Sequence, residues 1–162
     1  MRTIAIGVLG LVLVHGGVAA QTPAEQSRIL SEFQQNVAGY AERHHGLDAF
    51  PEAEGARAPV SRIFTLPVAM VFRQLIAGAI ADGPATTAMR GTNVPHHAVV
   101  YEPFPATELV DFPPKLRAAL PLLPEGLDYR LIGNDLVIRD ANADLIIAVL
   151  RDAVGASAAV KR

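Results

Sequence analysis

The chain has 162 residues, no cysteine, no tryptophan and a formal net charge of −2 at pH 7. Disulfide stapling and a lipid-accepting cysteine are thereby excluded, and the charge offers no electrostatic reason to expect nucleic acid or an anionic membrane as partner. Aromatic residues make up only 6 %, which speaks against stacking platforms for bases or sugars.

The first twenty residues, MRTIAIGVLGLVLVHGGVAA, have the layout of a secretory signal peptide. Arg2 forms the positive start, Ile4–Val14 the apolar stretch and Val18-Ala19-Ala20 a small-residue cleavage site. The apolar run falls short of the roughly 20 residues that a membrane-spanning helix needs. We therefore expect an exported, periplasmic or secreted protein with no span after cleavage. Cleavage takes away Arg2 and no acid, so residues 21–162 carry 13 basic and 16 acidic side chains. We expect one small domain over 21–154, with a helical part at 23–83, a proline-rich wrap at 94–124 and a β-meander at 126–150. Residues 155–162 read as a flexible tail.

Residues Pro23–His45 predict an amphipathic helix, with Ile29, Leu30, Phe33, Val37, Tyr40 and Ala41 on one stripe. Thr22 is its N-cap, Pro23 its first helical residue and Gly46 its stop. A polar loop punctuated by proline and glycine follows. A second helix is predicted from LPVAMVFRQLIAGAIADGP, with Thr65 as cap, Pro67 in the first turn and Gly83-Pro84 at the end. Val68, Val71, Phe72, Leu75, Ile76, Ala79 and Ile80 give it a broad apolar face. Seven prolines between Val94 and Pro124 forbid long helices and central strands there. That segment should wrap the core in extended form, with a short strand at HAVVYE and a two-turn helix at PPKLRAAL. DYRLI and DLVIR read as a hairpin joined through Gly133-Asn134, and DANAD as the turn into an apolar third strand, LIIAVL. The third strand, apolar throughout, should be central or covered by the helices. The fold class is α+β: two amphipathic helices packed on a small antiparallel meander.

The stretch Pro113–Val154 is similar to a module found in many small exported bacterial proteins of unknown function. The residues that carry the likeness are Leu120-Pro121, Leu123-Pro124-Glu125-Gly126, Tyr129-Arg130, Gly133, Asp135-Leu136-Val137 and Leu145-Ile146-Ile147. More distantly it resembles the hairpin of RcnB-type periplasmic proteins linked to nickel and cobalt homeostasis, which has the form Gly-x-x-Tyr-Arg-x-x-Gly-x-Asp. The resemblance covers about a quarter of the chain and implies a shared β unit. It transfers no catalytic residue.

Chemistry is sparse. DANAD opens like a calcium loop, but the glycine and the clamping glutamate that such a loop needs are replaced by Leu145 and Arg151. The serines lie in no nucleophile-elbow setting, and Glu42, Glu102, Glu108 and Asp111 show no spacing that defines an acid–base pair. The metal candidates are two histidine pairs, His44-His45 and His96-His97. Neighbours on a strand point to opposite faces and neighbours on a helix stand about 100° apart. One member of each pair would therefore have to meet the other across the fold. The expectation is a non-enzymatic binding or assembly module whose partner is an envelope protein or a small ligand, with no cofactor. The alternative is a periplasmic binder of a divalent transition metal (Ni, Co, Cu or Zn), and a third reading is a small hydrolase.

Overall fold

The computed structural model describes residues 22–44, 63–81, 98–109 and 111–154. The predicted signal segment, His45, His96, His97, the helix stops Gly46 and Gly83-Pro84, and the tail 155–162 lie outside the described residues.

Helix α1 spans Pro23–His44 and α2 spans Leu66–Ala81. The first begins as its sequence predicts: the Thr22 hydroxyl accepts the Glu25 N–H (3.2 Å), and the Thr22 carbonyl accepts the Gln26 N–H (2.9 Å). The Thr65 carbonyl likewise starts α2 by accepting the Ala69 N–H (2.8 Å). A short helix, α3 (Pro114–Ala119), carries proline in its first turn and gives way to extended backbone at Leu120, just before Pro121.

Three strands follow: β1 (Leu127–Ile132), β2 (Asp135–Asp140) and β3 (Leu145–Leu150), in the order β1-β2-β3 and antiparallel throughout. Gly133 takes φ 57° in the β1–β2 turn, as a two-residue hairpin loop with glycine in its first central position requires. Two tight turns make β2 the central strand. β3 is therefore an edge strand, yet it is buried on both faces, which is why it reads as apolar throughout. Ile138 faces Ala148 and Arg139 faces Ile146, so Ile147 is a β-bulge residue.

The fold is α+β, with α1 and α2 packed on one face of the meander. Their apolar stripes meet Leu136, Ile138, Ile147, Ala148 and Leu150 in one core that also takes in Leu116 and Leu120. Phe33 sits at its centre with no exposed surface, its ring 4.8 Å from that of Phe72. Period-2 alternation puts Ile132, Val137 and Ile146 on the opposite face, where Ala98 and Phe104 cover them.

The segment at 98–104 departs from its predicted strand. Tyr101 adopts φ 70°, which breaks an extended run, and a single bridge joins Pro103 to Leu145. It acts as a strap: the Tyr101 N–H donates to Ile146 (2.8 Å), Ile146 to Glu102 (3.0 Å) and Phe104 to Asp144 (2.9 Å). One turn of 3-10 helix, Ala106–Glu108, follows it. After β3 the chain turns back on the hairpin, where Asp135 accepts from the Arg151 guanidinium (2.6 Å) and the Asp152 N–H (2.9 Å).

Candidate functional site

Polar side chains from three elements converge where the end of α1 meets the start of β1 and the end of β2. Ala41, His44, Glu125, Gly126, Leu127, Asp140 and Asn142 line a shallow cleft there. Its free space, about 20 Å³, holds one water-sized molecule. An organic ligand of ordinary size needs several hundred Å³.

Asp140 is the anchor of this cleft and is 6 % exposed. Oδ1 accepts the N–H groups of Asn142 (3.0 Å) and Ala143 (3.1 Å), so DANAD is a side-chain-capped turn of the kind its composition predicts. Oδ2 accepts the hydroxyl of Tyr40 (3.1 Å), which reaches it from α1. Burial, reinforced by the Asp140 charge and this hydrogen bond, pushes the Tyr40 hydroxyl well above the usual phenol range. The pair joins a carboxylate acceptor on the sheet to a hydroxyl donor on the helix, which is an arrangement for holding one on the other.

His44 is half-buried on the same cleft. Its ring stacks on Tyr40 with centroids 4.2 Å apart, and Nδ1 lies 2.9 Å from the Tyr40 carbonyl oxygen. A carbonyl can only accept, so Nδ1 carries the proton and in the neutral ring the lone pair sits on Nε2. A histidine held in this way is oriented as metal-ligating histidines commonly are. Among the described residues, however, no group of three or more His, Cys, Asp or Glu side chains is placed to hold one ion. Of the four histidine candidates only His44 is described. Glu42, Glu102 and Asp111 are exposed, and each lies on a different segment.

A charged network lies on the other face of the sheet. Arg130 donates to Asp128 (2.7 Å), and Arg139 donates to Asp144 (2.7 Å) while lying over the Phe104 ring, 5.3 Å from its centroid. These long side chains roof the smaller apolar cluster with their stems.

The positions that carried the sequence resemblance have structural duties here. Gly126 needs φ 85°, and its carbonyl accepts the Ala141 N–H (2.8 Å). Tyr129 packs in the core with its hydroxyl on the Pro121 carbonyl (3.0 Å). Gly133 makes the turn and Asp135 pins the segment after β3. The Tyr40–Asp140 bond, which organises the cleft, has no signal in the sequence, because its partners are 100 residues apart. No protein-family model matches the chain, and no curated protein or solved structure shows significant similarity to it.

Proposed function

We propose that the protein is exported and acts as a soluble, non-enzymatic binding or assembly module of the periplasm or cell envelope. The signal-peptide layout of residues 1–20 carries this reading. It is supported by how the described polar side chains are used: Asp140, Asp135, Tyr129 and Arg139 are engaged in turns, caps and the roof of the sheet. Among the described residues no helix is long and apolar enough to cross a membrane. The test is to express the chain with a C-terminal tag, fractionate the cells and sequence the mature N-terminus. Periplasmic protein beginning at Gln21 is the expected result. Cytoplasmic protein that retains residues 1–20 refutes it.

His44 favours a second reading, binding of a divalent transition metal. Its ring is held by Tyr40 on a cleft that Glu125 and Asp140 also line, and His45 follows it in the chain. Completing such a site requires His45, His96 or His97. Calorimetric titration of the mature protein with Ni²⁺, Co²⁺, Cu²⁺ and Zn²⁺ tests it. Binding tighter than millimolar that is lost in His44→Ala or in His45→Ala/His97→Ala supports the reading; absent or unaltered binding removes it.

A further inference from the structure

The two edges of the sheet are finished differently. The outer edge of β3 is occupied by the strap at 101–104 and interrupted by the bulge at Ile147. Among the described residues β1 has neither device. Its pairing with β2 runs without a shift from Leu127↔Asp140 to Ile132↔Asp135, and it contains no proline. Because the hairpin closes on Ile132 and Asp135 across a two-residue turn, Ile132, Arg130 and Asp128 make the ladder bonds to β2. The N–H and C=O groups of Leu127, Tyr129 and Leu131 therefore point away from the sheet. The Leu127 N–H turns back to the Pro124 carbonyl (3.2 Å). Among the described residues no backbone group pairs with those of Tyr129 and Leu131.

An exposed edge is ordinarily blunted by charged side chains, proline, a bulge or a covering segment. The charges on β1 are of opposite sign, Asp128 and Arg130 on one face, so two copies of the strand can complement each other. Consider two copies of β1 running antiparallel about a two-fold axis through Tyr129. Tyr129 lies opposite its own counterpart, Leu127 opposite the partner's Leu131, and Asp128 opposite the partner's Arg130. The outward backbone groups are then in phase for ladder bonds. Sliding the strands by two residues, the smallest step that keeps this phase, sets Asp128 against Asp128 or Arg130 against Arg130. One register is thus selected by charge. Within the monomer Asp128 Oδ2 takes Arg130 at 2.7 Å and stands 3.8 Å from Arg139.

We propose that β1 pairs antiparallel with β1 of a second copy of this chain in the Tyr129-centred register, joining two three-stranded sheets into one. The inference does not depend on the envelope role. Sedimentation equilibrium of the mature protein from micromolar to millimolar concentration should show a dimer. Arg130→Asp and Asp128→Arg should each weaken it by roughly tenfold or more, since two symmetry-related attractions become repulsions. An equimolar mixture of the two variants should recover the dimer, because each supplies the charges that the other lacks. Should a single variant lose its folded circular-dichroism spectrum, the exchanged chain D128R/R130D, which keeps the internal ion pair, carries the test: it should dimerise with itself in preference to the wild type, against which the Tyr129-centred register sets like charges together. A wild-type chain that stays monomeric at millimolar concentration overturns the proposal. So does a mixture of folded single variants that fails to recover the dimer, or an exchanged chain that pairs indiscriminately.

Discussion

Replacing Asp140 with alanine should reverse the value of the Tyr40 hydroxyl. In the wild type that hydroxyl is buried and donates to Asp140 Oδ2 at 3.1 Å. Removing the carboxylate strands it, at a cost of about 1–3 kcal/mol for a buried unsatisfied group. Oδ1 also caps the N–H groups of Asn142 and Ala143. Asn142 is exposed and Ala143 half-buried, so water recovers part of that loss and about 1 kcal/mol more is forfeited. Asp140→Ala should therefore destabilise the protein by about 2–4 kcal/mol, a large share of the 5–15 kcal/mol typical of a domain. Tyr40→Phe in the wild-type background should cost about 1.5–3 kcal/mol, the range for a hydrogen bond to a charged group, because the ring and its packing remain. In the Asp140→Ala background the same change removes a stranded hydroxyl, so it should be neutral or stabilising. Urea unfolding of the four proteins, followed by far-UV circular dichroism, gives the coupling energy directly. If Tyr40→Phe costs the same with and without Asp140, the hydrogen bond does not tie α1 to the sheet, and this account of the cleft is wrong.

Burial raises the pKa of both Tyr40 and Tyr129 above the ordinary phenol value; a group whose folded pKa exceeds its unfolded one stabilises fully below the unfolded value, about 10, and loses that contribution as pH rises beyond it. The urea midpoint should thus hold steady up to about pH 10 and fall above it, less steeply in Tyr40→Phe; an unchanged slope in the variant contradicts the assignment. Gly126→Ala should cost about 1–2 kcal/mol, because φ is 85° there. The new Cβ would also meet Asn142 Nδ2 at 2.8 Å, but a side-chain tip can swing aside. Adding Asn142→Ala should restore little in a thermal melt, and full recovery would mean that the clash, not the backbone, sets the cost.

How far the sequence reaches depends on the distance over which each feature is decided. Thr22 and Thr65 start their helices, and Gly133 turns the hairpin, through neighbours within four residues. These are legible, as is the stripe Ile29–Phe33–Val37–Tyr40 that becomes the buried face of α1. HAVVYE reads as a strand because nothing in its composition signals the left-handed turn at Tyr101, which the strap needs to deliver Phe104 onto the sheet. The cleft is less legible still: Asp140 reads locally as a turn former, and only the packing of α1 across the sheet brings Tyr40 and His44 to it. For β3, burial was legible but its place at the edge was not. A strand covered from both faces has the same composition wherever it lies in the sheet.

The link between Tyr40 and Asp140 also sets an order of events. Helix α1 is made before the strands that cover its apolar face, and the two ends of that bond are 100 residues apart. At a synthesis rate of about 5–20 residues per second, roughly 5–20 s separate their appearance. Most of the stability of an amphipathic helix comes from packing its apolar face rather than from its own propensity. In that interval Ile29, Phe33 and Val37 have no sheet to cover them, and the nascent chain remains pliable until those strands arrive. Deleting β2 and β3 should therefore leave α1 without a folded partner and not as a stable helical fragment.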